Sequence, residues 1–352
     1  MLDALGRTAM ALLIGATGGA IFALIGAPLP WTLGAIATSA LAAIFLNRWA
    51  MPVGTRSISK LVVGVLAGSA FTPDIAASML GWWPSVLTVA VYSLAISVAG
   101  YLLFSRVMRY DPVTAYFAAT PGGLGEFTLL GSALGGQVHT LVLIHAMRVI
   151  TIVFGIPIML QISQTPPVLD PGDAAAGGHG MFDWLVLIGC GLGGHLLGRI
   201  PGFPGGSIVG AMLLSAALHA TGLTSAAPPM WVVALAQILI GSLAGARFGG
   251  VSWSDARRDL GIAVVWALVL LGVTLVMTSV AAPLLGMSYT TMLLALAPGG
   301  VSEMIIISYA LGADVALVAF CQALRIFLVL ALAPLFFNIL ARRRRAPGAP
   351  PT

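Results

Sequence analysis

Two carboxylates stand inside long apolar stretches of this chain, each preceded by the same helix-breaking tripeptide. Glu126 closes the run Pro121-Gly122-Gly123-x-x-Glu126 and Glu303 closes Pro298-Gly299-Gly300-x-x-Glu303, and an arginine follows each acid 22 residues on, at Arg148 and Arg325. An ionised side chain in the apolar part of a bilayer costs about 2.5–3.5 kcal/mol even on lenient insertion scales, so each needs a counter-charge, a proton or water. Two chemistries fit. The acids are coupling carboxylates that take up a proton or a sodium ion, or they are structural partners of Arg148 and Arg325, paired directly or crossed so that Arg148 meets Glu303. The arginines either neutralise the acids or hold an anionic solute in the planar fork of the guanidinium. Proline and paired glycine interrupt a helix and free N–H groups at the start of the next one, where the positive end of the helix dipole suits an anion. Close helix packing is the plainer use of the same glycines. The candidate solute- and ion-binding set is therefore Pro121, Gly122, Gly123, Glu126, Arg148, Pro298, Gly299, Gly300, Glu303 and Arg325. Asp314 is a weaker member, because its counterpart is Gln137 and capping the helix that follows is its ordinary use.

The elements that must position these residues occur twice. At a constant offset of 177, Pro121, Gly122, Gly123, Glu126, Gly135, Arg148 and Pro157 fall on Pro298, Gly299, Gly300, Glu303, Gly312, Arg325 and Pro334. Upstream, Gly64, Leu66, Ala67, Gly68 and Phe71 meet Gly241, Leu243, Ala244, Gly245 and Phe248 at the same offset, and Pro30 and Gly34-Ala35 match Pro204 and Gly210-Ala211 after a short adjustment. A duplicated membrane unit with a broken helix and a buried acid is how many transporters build a substrate site.

With 59% hydrophobic and 8% charged residues and a mean hydropathy of +1.04, the chain lies far from the roughly 25% charged composition of soluble domains. Apolar stretches at 8–27, 31–46, 58–72, 84–105, 138–161, 184–198, 206–219, 231–246, 262–282 and 314–340 approach the ~20 residues of a spanning helix, the shorter ones being glycine-rich. The first is read as a span rather than a signal peptide, since 184–198 is its counterpart. The fold class that follows is an all-α polytopic membrane protein. It is organised as a membrane repeat over 1–161, a periplasmic linker over 162–183, a second membrane repeat over 184–341 and a basic cytoplasmic tail over 342–352.

Other reactive side chains point elsewhere. Cys190 and Cys321 sit in apolar helices as packing residues without metal spacing, and His139 and His145 do not share a helical face, so no metal site or cofactor is expected. His195 and His219 read as structural. No nucleophile triad or phosphate-binding loop occurs. The net charge of +5 is spread over helix ends, which excludes a nucleic-acid footprint.

The segment APGGVSEM at 297–304, the LGAD and LR that follow it, the degenerate ATPGGLGEF at 119–127 and PLPWTLGA at 28–35 resemble the bacterial AbrB-duplication membrane proteins, over nearly the whole chain. These are distinct from the small soluble DNA-binding regulator that shares the name. The resemblance implies a distant likeness to the cation/proton antiporter and anion transporter superfamily, and it brings conflicting provisional labels, ammonia monooxygenase and regulator of gene expression. Gln137, where the second copy has Asp314, departs from the pattern and makes the halves inequivalent. Three function classes follow. The first is a secondary transporter of a small, anionic solute coupled to a proton or sodium ion, in the inner membrane and compatible with a homo-oligomer. The second is an integral membrane enzyme, for which a copper site would need histidine ligands that the sequence does not group. The third is a membrane protein that affects gene expression indirectly.

Charge sets the orientation. Arg7, Arg48, Arg56, Lys60, Arg106, Arg109, Arg199, Arg247, Arg257, Arg258 and Arg342–Arg345 belong to the cytoplasm by the positive-inside rule, while 73–83, 162–183, 217–230 and 283–290 lack Lys and Arg and face out. Equivalent loops then swap sides, which is the mark of inverted-topology repeats of about five transmembrane helices each. In each copy the Pro-Gly-Gly segment is either a re-entrant hairpin or a broken crossing helix. Reporter fusions at 170 and 345 are expected to report opposite sides, with both termini cytoplasmic; the same side for both would remove the inversion.

Overall fold

A computed structural model describes residues 2–27, 29–46, 55–122, 124–162, 180–200, 203, 205–246, 249 and 253–345. Among them the chain is helical throughout, with no strand. Helices α1 (Leu2–Leu24), α2 (Pro30–Leu46) and α3 (Thr55–Ser69) lead to a short α4 (Pro73–Ser78), which Thr72 caps and Pro73 starts. Next come α5 (Trp83–Leu102), α6 (Pro112–Ala119), α7 (Leu124–Ala133) and α8 (Val138–Ile162). The second half runs α9 (Met181–Leu197), α10 (Gly206–Ala220), α11 (Met230–Gly245), α12 (Trp253–Leu284), α13 (Tyr289–Leu296), α14 (Val301–Ala310) and α15 (Val315–Arg345). Each of the ten apolar stretches coincides with a helix. The continuous run Pro73–Val107, α8, α12 and α15 are long and apolar enough to cross a membrane. The helix α15 continues through Arg342–Arg345, since arginine is a good helix former and complements the negative helix end.

The shorter helices solve a packing problem with glycine. In α3, a Cβ on Gly64 or Gly68 would strike the α10 backbone at Ile208 and Met212, so these two helices meet almost backbone to backbone. The same happens 177 residues on, where Gly241 and Gly245 of α11 lie against Thr32 and Ile36 of α2. Helices α1–α3 and α9–α11 thereby form one bundle. The longer helices form a second, in which α12 lies along α8 and α5 lies against α6 and α15. Of the long helices, α8 and α15 are the more enclosed pair.

The Pro-Gly-Gly segments separate α6 from α7 and α13 from α14, and in both cases the second short helix turns back toward the start of the first. The backbone N–H of Gln137, just past α7, donates to Thr114 Oγ1 in the first turn of α6 at 2.8 Å. The N–H of Asp314, just past α14, donates to Thr291 Oγ1 in α13 at 3.1 Å. Asp111 caps α6 by accepting from Val113 and Thr114, and Ser288 caps α13 by accepting from Thr291. A buried threonine hydroxyl thus closes each hairpin at its base. Replacing either hydroxyl leaves a partly buried N–H unpaired, at a cost of about 1–3 kcal/mol. Thr114→Val and Thr291→Val should each lower the melting temperature of the detergent-purified protein, while Thr→Ser at the same positions should keep most of it.

Candidate functional site

At the hairpin tips the helix break creates the difficulty that the nearby side chains resolve. The last carbonyls of α6 and α13 have no intrahelical donor, and an apolar interior offers no water to replace it. Arg148 on α8, fully buried, donates from Nη1 to the Thr120 carbonyl at 3.1 Å and from Nη2 to that of Gly122 at 2.9 Å. Arg325 on α15 donates from Nη1 to the Ala297 carbonyl at 2.8 Å, and from Nη2 to Ala295 at 2.7 Å and Leu296 at 3.1 Å. Thr120 and Ala297 stand at the same offset as the two arginines. Gln322 supports the second tip by donating to Leu294 and Ala297. Each guanidinium therefore caps the C-terminal end of a half-helix, where positive charge is favoured.

The candidate residues gather at these tips. Pro121, Gly122, Pro298 and Gly299 are buried. The ring of Phe127 lies where a Cβ on Gly122 would be, and Met304 covers Gly299 in the corresponding way. Gly123 and the side chain of Glu126 lie outside the described residues. Glu303, 7% exposed, accepts from the Ser302 hydroxyl at 2.8 Å on Oε2, and among the described residues no salt bridge joins it to Arg325. Direct Arg325–Glu303 pairing, one of the two roles open to these residues from sequence, is thus replaced by arginine on backbone carbonyls. Among the described residues, Arg325 and Glu303 are near enough to act on the charge of Arg148, which brings the two tips into one electrostatic neighbourhood. Asp314 accepts the Leu317 N–H at 2.9 Å and so caps α15, its ordinary use.

A polar seam runs through the second bundle beside the tips. Tyr92 on α5 and Thr274 on α12 share a 2.7 Å hydrogen bond in a buried setting, and Arg325 acts electrostatically on that phenol. At the base of the first hairpin, Asp259 of α12 accepts from Tyr110 at 2.6 Å and from Thr140 of α8 at 2.5 Å. Burial first, and the Asp259 carboxylate second, push the Tyr110 phenol well above its usual range, so it remains the donor. Neither Asp259 nor the carbonyl partners of the arginines stood out in the sequence. Asp259 is one acid beside Arg257-Arg258 on a helix end, and freed carbonyls leave no residue-type signal.

The remaining polar groups fit structural roles. His219 contacts the Ser215 and Ala226 carbonyls at 2.7 and 2.8 Å. Cys190 and Cys321 are buried free thiols. A cavity of about 320 Å³ opens between α5 and α15, from Leu94 and Val98 at its mouth to Thr120 and Tyr116 inside, with an almost wholly apolar lining. In the equivalent seam between α12 and α8, Gly155 stands where α15 has Leu332, and Leu271 packs against it.

Comparison with known proteins places the chain. A family model described as "Transition state regulatory protein AbrB" matches residues 31–341. The chain belongs to the AbrB family. Its length and helical, apolar character fit the membrane AbrB-duplication proteins and not the small soluble DNA-binding protein. Among relatives, "Uncharacterized protein YhjN" of Bacillus subtilis (strain 168) is 24% identical over 93% of this chain and 91% of its own length. "Putative regulator AbrB" of Escherichia coli (strain K12) is 24% identical over 82% of this chain and 84% of its own.

Removing a guanidinium should strand two or three carbonyls, so Arg148→Ala and Arg325→Ala are each expected to destabilise by about 3–5 kcal/mol. Because Arg325 and Glu303 do not pair, Glu303→Gln should not rescue Arg325→Ala, and the double mutant should be additive within about 0.5 kcal/mol. Recovery of stability in the double mutant would restore the ion-pair account.

Proposed function

We propose that this AbrB-family protein is a secondary transporter of a small anionic solute, working by alternating access and coupled to a proton or sodium ion. Its architecture in this proposal is two inverted-topology repeats of about five crossings, each with one re-entrant Pro-Gly-Gly hairpin, in the bacterial inner membrane. The observation that carries it is the convergence of two buried guanidiniums on two hairpin tips that lie within each other's electrostatic reach. Irregular backbone inside a membrane protein is tolerated where it lines a protein or water cavity, and half-helix starts there are the usual place for an anionic group. With their Nη atoms held by carbonyls, Arg148 and Arg325 act as fixed positive charges that shape the site rather than as a clamp that closes on the solute.

The two-bundle organisation supports the transport cycle. Helix α14 is the part of its hairpin that touches α3 and α11 of the glycine-packed bundle, and Tyr309 of α14 reaches Met230 of α11 at 3.5 Å. A shift of one bundle against the other would carry the tips between two exposures without remaking the hairpins. The word regulator in the printed name of the Escherichia coli relative comes to this chain as an effect of solute flux.

A thermal-shift screen of small organic and inorganic anions, followed by flux into proteoliposomes under an imposed proton or sodium gradient, tests the proposal. Saturable, gradient-driven accumulation is expected, and Glu126→Gln or Glu303→Gln should abolish uphill accumulation while leaving the protein inserted. Unchanged accumulation in both variants would demote the two acids to structural roles.

A further inference from the structure

Two spanning helices leave a space between them, and that space ends beside a cluster of arginines. Helices α5 and α15 run parallel, since Trp82 before α5 meets Phe320 near the start of α15 at 6.1 Å, and Tyr101 near the end of α5 meets Phe336 at 4.8 Å. Between these contacts lies the cavity of about 320 Å³, with Thr120 of the first hairpin tip in its lining. Its α5 wall is Leu94, Ser97, Val98 and Tyr101, the i, i+3, i+4, i+7 spacing of one helical stripe. Leu94 and Val98 are also exposed on the outside of a membrane-length helix, so the space opens toward the bilayer.

The lining decides what can fill it. Ser97 donates to the Ser93 carbonyl at 2.6 Å, Thr120 to that of Phe117 at 3.2 Å and Tyr116 to that of Val329 at 3.3 Å, so these hydroxyls are spent within the protein. A trapped water needs about two to four polar partners, and an empty space leaves its walls without contacts. A hydrocarbon chain avoids both penalties.

Beyond Tyr101 the surroundings become positive. Helix α5 passes into a π-helical turn, Leu103–Val107, in which the Met108 N–H reaches the Leu103 carbonyl at 3.1 Å. In an unbroken α-helix Arg106 would stand roughly 130° from the cavity stripe, and the extra residue of the wide turn takes back about 100° of that. Arg258 of α12 donates to the Met108 carbonyl at 3.1 Å. Arg106, Arg109 and Arg258 are exposed, and among the described residues none of them forms a salt bridge. The nearby acids are committed elsewhere, Asp111 to the N–H groups of Val113 and Thr114 and Asp259 to Tyr110 and Thr140. On the other wall, α15 continues past Phe336 into Arg342–Arg345. The Tyr101 hydroxyl, at the junction of the apolar and basic parts, has no hydrogen-bond partner among the described residues.

We propose that this is a binding site for one anionic phospholipid, with an acyl chain in the α5–α15 cavity and the phosphate on Arg106 and Arg258. Lipid binding there is independent of transport. Lipid tails are as apolar as the cavity wall, so filling the space gives little preference of its own and selection falls to headgroup charge. A second copy laid over the same face about a two-fold axis along the membrane normal would instead bring like arginines together. The chain ends against Thr120, whose carbonyl Arg148 holds at 3.1 Å, so the lipid supports the first hairpin tip from the membrane side.

In neutral detergent, phosphatidylglycerol at tenfold excess over its Kd should raise the melting temperature saturably by about 2 °C, and phosphatidylcholine with the same chains should not. Native mass spectra should retain one phosphatidylglycerol per chain. Joint Arg106→Gln and Arg258→Gln substitution should weaken that retention about tenfold. Ser97→Phe, which fills the cavity, should lose it with the arginines intact, and Val98→Trp at the mouth serves as a second filling variant. Equal stabilisation by the two lipids, or a phosphatidylglycerol response unchanged in the arginine variant or in both filling variants, would overturn the site. So would an equal shift from soluble glycerol phosphate, which would leave only a surface anion contact. A lipid-independent dimer that Val98→Trp dissociates would give the face to a second copy and likewise overturn the proposal.

Discussion

Breaking a helix inside apolar surroundings frees carbonyls that nothing in a hydrocarbon can satisfy, and in this protein the most deeply buried cations exist to meet that need. Arg148 and Arg325 each reach across from the following long helix to the end of a half-helix. An isolated cation in such a place is costly, and so is a set of unpaired carbonyls. Placed against each other the two costs offset. That single exchange fixes the hairpin tip, ties it to α8 or α15 and puts a permanent positive charge beside a glycine-rich helix start. The threonine closures at the hairpin bases then determine where each hairpin ends.

The same exchange explains why Glu303 is not a simple mate of Arg325. Arg325 has given its Nη donors to three backbone oxygens and to Gln322, and its Nε–H is buried without an acceptor. Glu303 is consequently free of a direct ion pair and lies over its own helix start, where backbone N–H groups and the dipole favour a negative group. Structural work falls to the arginines.

Much of this was legible in the sequence because it depends on residue types at fixed spacing. The PGGxxE frame located both hairpin tips, the 177-residue offset located their partners, and the glycines of the short helices announced close packing that Gly64, Gly68, Gly241 and Gly245 then provide. Asp314 as a helix cap followed from its position before an apolar run. What stayed hidden depends on backbone groups. Sequence displays an acid 22 residues from an arginine and invites an ion pair, while the carbonyls of Ala295, Leu296 and Ala297 carry no letter of their own. The Asp259 clamp joins residues more than a hundred positions apart and has no counterpart, because Trp82 occupies the equivalent place.

Inequivalence between the halves is therefore local and chemical rather than architectural. At the base of the first hairpin a carboxylate from α12 ties Tyr110 to Thr140, while at the corresponding place in the second half Trp82 packs at 6.1 Å from Phe320. The first base carries this carboxylate clamp beside its threonine closure, and the second carries aromatic packing beside its own. Leu332 in the place of Gly155 adds a second difference, since Leu332 lines the α5–α15 cavity while Leu271 packs on Gly155. Two hairpins that share a threonine closure at the base and a guanidinium at the tip thus differ in the side chains packed around the base.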